Sequence, residues 1–372
     1  MRHYLSYIFF LLLVGGIYEP ATAQTTAVTL KGKITDAETG DGLPGVHVFI
    51  ASSTRGTTTD VEGFYELADL PVGVLHLYVS SLGYEPQTRD ILFRTPGERT
   101  IDLQLEPATI GLGEVIVEAK GDKKWKKRLE RFTAQFIGET PYADSTVIVN
   151  PEVLDFSSDR GTLVATAADQ LIIENRALGY RVQYFLKDFE AQINRTKYDG
   201  EPLFEEMVPT DDLERESWHA NRRKAFVGSF HHFMLALLAE QVKEQGFETY
   251  GRTAMASSSQ VSASPQMGNR FPVDPYSIIK PGADATEFTL DFDGFLEIIF
   301  KGEEEDKAYL SWSGRSRGSR PKFQTSWIRL EKGPTTVDYK GEVLDPYGVT
   351  FYGYYAFERV ADEVPVEYRP GR

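Results

Sequence analysis

Between Ala27 and Glu106, short runs of alternating apolar and polar residues are interrupted by turn clusters at intervals of about 8 to 12 residues. Period two puts successive side chains on opposite faces of a strand, and reversals at that interval leave room only for strands of a few residues. Val28, Leu30, Gly32 and Ile34 alternate with Thr29, Lys31 and Lys33, and Val46, Val48 and Ile50 alternate with His47 and Phe49. Further strands are expected at Phe64 to Leu67, Val74 to Val79, Ile91 to Phe93 and Ile101 to Leu105. Sheets with one apolar face must cover it, so the expected fold of residues 24–107 is a small antiparallel β-sandwich.

The residues between the strands are specific. They are Gly32, the Asp36 to Gly40 turn, Leu43-Pro44-Gly45-Val46, the run Gly56-Thr57-Thr58-Thr59-Asp60, Gly63-Phe64-Tyr65 and Gly83-Tyr84. Together they resemble the carboxypeptidase regulatory-like domain, the prealbumin (transthyretin)-like sandwich common in exported proteins of Bacteroidetes. The resemblance implies a structural or interaction appendage and carries no peptidase activity. None of the 6 histidines begins the H-x-x-E pair of zinc carboxypeptidases or the H-E-x-x-H of thermolysin-like enzymes. Leu112-Gly113-Glu114-Val115-Ile116-Val117 resembles the segment that follows this domain in TonB-dependent outer-membrane receptors. The plug and barrel that follow in those receptors need far more than the residues remaining here, so a linker strand is expected instead.

The start of the chain carries an export signal. Arg2 and His3 form a basic head, Ile8 to Ile17 an apolar core, and Ala21-Thr22-Ala23 an A-x-A cleavage site, so residues 1–23 are expected to be removed. The apolar run is far short of the roughly 20 residues that span a bilayer. The absence of cysteine excludes disulfides and a lipid-accepting cysteine. The expected location is periplasm or cell surface, not as a lipoprotein, with no transmembrane segment after cleavage. A formal charge of -15 argues against nucleic acid and anionic membranes as partners; the expected partner, contacted through the sandwich, is a cell-envelope protein or glycan.

Residues 108–139 are expected to hold the linker strand and a basic amphipathic helix. Asp122 is placed to cap it, Trp125, Leu129, Phe132 and Phe136 share one stripe, Gly138 suits the stop, and four lysines lie on the other side. Residues 140–372 are expected to form an α+β module with a long buried helix from Thr210 to Gln245, closed by Gly246. Tyr180 to Ile193 is strand-like, Arg252 to Pro275 is loop-like, and Asp293-Gly294 between two alternating runs is the strongest hairpin signal. Segments such as Asn150 to Leu154 and Phe357 to Asp362 resemble uncharacterised exported Bacteroidetes proteins with the same sandwich in front, which implies a domain pairing and no activity.

Catalytic motifs are missing: there is no G-x-S-x-G elbow, Walker loop or dinucleotide fingerprint, and no catalytic, cofactor or metal residue is assigned. His219, His231 and His232 cannot share an ion on one continuous helix, because His219 lies roughly 18 Å from the other two along its axis. A ligand cleft is expected where Trp218, His219, Arg222 and Arg223 meet the apolar stripe of that helix; an arginine there suits a carboxylate or phosphate, or else pairs with acids such as Glu214 and Glu216. The reading of the whole is an exported non-catalytic binding or scaffold protein, with an unrecognised periplasmic hydrolase or an outer-membrane transport accessory as alternatives.

Overall fold

The computed structural model describes residues 27–108, 121–193, 195–254, 267–282, 286–314 and 323–371. The expected signal segment 1–23, the stretch Leu112 to Val117 and residues 255–266 of the Ser-rich segment lie outside the described residues.

The first unit comprises β1 (Val28–Asp36), β2 (His47–Ile50), β3 (Gly56–Thr58), β4 (Phe64–Leu70), β5 (Gly73–Ser80), β6 (Gln87–Phe93), β7 (Gly97–Thr100) and β8 (Leu103–Leu105). One sheet runs β4-β1-β7 with β8 also on β1, the other β3-β2-β5-β6. Leu30, Ile34, Val48, Leu67, Leu75 and Leu77 are buried between them. The expectation of a wholly antiparallel sandwich is corrected at one edge, because β7 and β8 run parallel to β1. Alternation reports which face is buried and is silent on strand direction. Where β7 gives way to β8, the side chain of Asp102 accepts from Lys33 N at 2.8 Å and fills the gap in the ladder.

Several motif residues acquire a reason. A Cβ on Gly32 would stand 1.8 Å from the carbonyl oxygen of Ile101, so only glycine lets the crossing chain approach β1. Asp36 accepts from Glu38 N and Thr39 N at 2.7 and 2.9 Å and from the Tyr84 hydroxyl at 2.7 Å, which joins two distant motif positions. The Tyr84 hydroxyl and those two amides hold the Asp36 carboxyl below its usual range. Thr59 Oγ1 donates to Leu43 O at 2.6 Å and accepts from Val46 N at 2.9 Å, bracing the Pro44 turn.

The second unit begins with α1 (Lys123–Phe136), capped by Asp122, whose carboxylate accepts from Trp125 N at 2.6 Å. It continues through β9 (Thr146–Ile148), β10 (Leu154–Asp159), β11 (Thr162–Ala167), β12 (Leu171–Asn175), β13 (Tyr180–Ala191) and β14 (Thr196–Glu206), all antiparallel around β13. The aromatic stripe of α1 belongs to the core of this sheet: Phe132 meets Phe189 at 4.6 Å and Phe136 meets Tyr184 at 4.9 Å between ring centroids. Lys123, Lys124, Lys126 and Lys127 face solvent.

The third unit contains α2 (Asp212–Phe226), α3 (Phe230–Leu238), β15 (Phe247–Ala254), β16 (Met267–Pro272), β17 (Ile279–Pro281), β18 (Glu287–Leu290), β19 (Phe295–Phe300), α4 (Lys307–Trp312), β20 (Gln324–Leu330), β21 (Thr335–Asp338), β22 (Val349–Gly353) and α5 (Tyr354–Phe357). Its sheets are β16-β15-β19-β20-β22 and β17-β18-β21, with Phe233 and Leu237 of α3 buried against Phe247, Ile298 and Ile328.

Two expectations fail here. The long helix is two helices: Val227 is extended, Gly228 has φ 88°, and Ser229 caps α3 by accepting from His232 N at 3.1 Å. A Cβ on Gly228 would stand 2.7 Å from the Phe300 ring, so the break is also a close approach. The Asp293-Gly294 turn joins strands of different sheets, since β18 pairs with β17 and β21 while β19 pairs with β15 and β20. β19 is buried on both faces, as suits a central strand and not one arm of a hairpin. With the module's sheets added to the sandwich, the fold is mostly β.

The last residues bind the three units together. Ala361 N donates to Ile137 O at 3.0 Å and Ala361 O accepts from Asn175 Nδ2 at 2.9 Å, while Val360 and Ala361 enter the core of the second unit. Val366 N then donates to Ser52 O at 2.7 Å, and Glu367 accepts from Thr54 N at 2.8 Å. Beside this contact, Phe49 and Tyr78 of the sandwich pack on Phe185 of β13 at 5.0 and 5.5 Å.

Candidate functional site

The returning tail forms one wall of a cavity of about 560 Å³. The start of α3 and the end of β22 supply an aromatic floor, with Phe230 4.8 Å from Phe351 and 5.7 Å from Tyr355. Thr196, Lys197 and Tyr198 of β14 form a second wall, beside Tyr347, whose hydroxyl donates to Asp188 Oδ2 at 2.7 Å. The tail contributes Glu358, Arg359, Asp362 and Glu363. A second cavity of about 340 Å³ adjoins it, sharing Phe230, His231 and Glu363 and reaching Ser52 and Glu342.

The tail acids keep some contact with the cavity but are otherwise surrounded by protein. Burial, which disfavours a charged carboxylate, raises Asp362 to about 7 against the opposing effect of hydrogen bonds from Arg359 N at 3.0 Å and Thr140 Oγ1 at 3.2 Å. Burial alone raises Glu363 to about 7. Glu358 is raised well above its ordinary range, by burial first and then by Asp362, Glu303 and Asp306. Near neutral pH Asp362 and Glu363 therefore hold a proton about half of the time, and in that form a carboxyl group donates as well as accepts. Such a wall over an aromatic floor suits a neutral ligand rich in hydroxyl or amide groups.

The four residues expected to form a cleft are placed differently from one another. Arg222 is buried, with Nε donating to Leu178 O at 2.6 Å, Nη2 to Gly179 O at 3.1 Å and Nη1 to Glu206 Oε1 at 3.2 Å, over the Tyr180 ring at 4.0 Å. Trp218 is buried beside it, its Nε1 donating to Arg176 O at 2.9 Å. His219 and Arg223 are exposed. The structure thus brings Trp218 and Arg222 together on the 176–180 turn, and neither cavity is lined by any of the four. Arg222 finds its acid in Glu206, not in Glu214 or Glu216.

His232 Nδ1 accepts from Gly228 N at 3.1 Å, so it supports the break between the helices. His231 contacts Lys340 O through Nε2 at 2.9 Å, lines both cavities and is lowered to about 4, chiefly by burial. The cavity acids were not singled out from sequence. The available signal was their interleaving with Val360 and Ala361, acids beside residues that can only be core.

Residues 30–117 match the family model of the CarboxypepD_reg-like domain. Two curated relatives are TonB-dependent receptors. SusC of Bacteroides thetaiotaomicron is 31% identical over 114 residues, 31% of this chain and 10% of the receptor. P39 of Formosa agariphila is 38% identical over 87 residues, 23% of this chain and 8% of the receptor. The chain thus spans about a tenth or less of the length of these relatives. Among solved structures, catechol 1,2-dioxygenase of Acinetobacter sp. ADP1 is 17% identical over 27% of this chain and 59% of that chain, with a TM-score of 0.20, too low to bear on fold or chemistry. The chain carries, at residues 30–117, a CarboxypepD_reg-like domain.

Proposed function

We propose that the protein is an exported, non-catalytic binding component that serves an outer-membrane transport system of the cell envelope. Its sandwich makes the contact to an envelope protein, and its cavity holds a neutral, hydroxyl-rich ligand of the glycan kind. The observation that carries the first half is the CarboxypepD_reg-like domain shared with two TonB-dependent receptors. Support for the second half is the partly protonated carboxyl wall facing Phe230 and Phe351. Among the described residues no helix is long and apolar enough to cross a membrane, which fits attachment through a partner.

The test has two arms. Density-gradient fractionation of the envelope should place the protein with the outer membrane; recovery in the cytoplasm would refute the location. Calorimetric titration with short neutral oligosaccharides should give binding that Glu363→Gln preserves and Phe351→Ala weakens about tenfold. Steady hydrolysis of those sugars would replace the binding role with an enzymatic one.

A further inference from the structure

A second polar cluster lies where the sandwich meets the third unit, away from the 560 Å³ cavity. His76 of β5 faces Asp90 of β6 across the ladder, with Nδ1 2.6 Å from Asp90 Oδ1. A carboxylate on Nδ1 holds that nitrogen as an N–H and directs Nε2 toward β21, where a metal ion would bind by displacing the Nε2 proton. Asp338 ends that strand and is 1% exposed. Its Oδ1 accepts from Lys340 N and Glu342 N, both at 2.9 Å. Its Oδ2 has no hydrogen-bond partner and faces His76 Nε2, which has none either.

The separation between these two atoms is 3.5 Å. A hydrogen bond between an imidazole and a carboxylate would draw them to about 2.8 Å. Two ligands on one tetrahedral ion with bonds of about 2.05 Å stand about 3.3 Å apart. Glu342 supplies a third oxygen, and one ligand atom from each of the three residues lies within 4.8 Å of the others. Glu342 also borders the 340 Å³ cavity, which gives a water or ligand atom a route to a remaining coordination position.

We propose that His76, Asp338 and Glu342 form a divalent-metal site, with Asp90 orienting the imidazole and Zn²⁺ the best-matched ion. One imidazole nitrogen and two carboxylate oxygens with an open position are a donor set zinc accepts. The ligands come from two units with separate cores, so the ion clamps the sandwich to the third unit. Two carboxylates facing each other around one imidazole are a charge arrangement that a divalent cation neutralises.

The experiment uses the mature full chain, stripped with a chelator and dialysed. Zinc chloride is titrated calorimetrically, and bound zinc is counted by mass spectrometry after gel filtration. One zinc per chain and a raised thermal midpoint are expected. Glu342→Gln and His76→Gln, which keep side-chain volume, should each weaken zinc binding at least tenfold, and Asp90→Asn by about 10- to 100-fold. Thermal midpoints in chelator, measured for each variant, confirm that the loss is not unfolding. Failure of the parent chain to retain zinc overturns the site, as does equal affinity in folded Glu342→Gln and His76→Gln.

Discussion

The sandwich and the unit that follows it solve the burial problem in different ways. Every core residue of the sandwich comes from one contiguous stretch, Val28 to Leu105. The second unit assembles its core from α1, the sheet around β13, and Val360 with Ala361, which arrive from the far end of the chain. A core gathered from contiguous residues can be completed by a fragment, whereas a core closed by a returning tail depends on everything between. The difference leads us to expect that the sandwich folds as a separate unit, while the remainder depends on its last residues.

The largest effect that would sharpen this contrast is removal of residues 354–372. All four tryptophans lie outside the sandwich, so their fluorescence reports on the remainder alone. Truncation after Gly353 should abolish the cooperative fluorescence transition, whereas a fragment of residues 24–107 should still unfold cooperatively by circular dichroism. A truncated chain with a normal fluorescence midpoint would break the comparison.

Phe132→Ala comes next. It removes a fully buried ring of α1 and should destabilise the fluorescence-reported transition by about 3–5 kcal/mol. Arg222→Ala should follow, at about 2–4 kcal/mol, because the carbonyls of Leu178 and Gly179 lose a buried donor. An unchanged midpoint with lost binding of phosphate or a carboxylate ligand would return Arg222 to the role of a ligand residue.

The fluorescence-reported transition also depends on pH. Asp362 and Glu363 are raised to about 7 in the folded chain, above their unfolded values of about 4. The folded state therefore binds more protons across that interval, and the associated stability is full below the unfolded values and lost as pH rises through about 7. The fluorescence midpoint should be higher at about pH 5 than at about pH 8, and Glu363→Gln should narrow that gap. A midpoint that rises with pH would contradict the burial assigned to these acids.

Legibility followed the same division. The sandwich strands and the α1 stripe were readable because alternation, caps and turn glycines are local signals. β14 was missed: its sequence, rich in charge with Gly200 and Pro202, has no apolar alternation, yet it pairs with β13 along its length. The break at Gly228 was missed because the apolar residues on either side continue a helical spacing. A glycine inside such a pattern is tolerated often enough that only the position of Phe300, contributed from a distant strand, decides it. The cavity acids and the His76 cluster were invisible for a like reason, since each draws residues from segments far apart in the chain. Alternation along β5 made His76 one more side chain on a strand face, and nothing local pairs it with Asp338.

Native-state hydrogen exchange on the full chain tests the central distinction most directly. Amides of β13 and the tail amide of Ala361 should exchange through one common opening, and Phe132→Ala should lower protection of both equally while leaving the amides of β1 in the sandwich unchanged. Equal loss of protection in β1 would show one undivided cooperative unit and contradict the account.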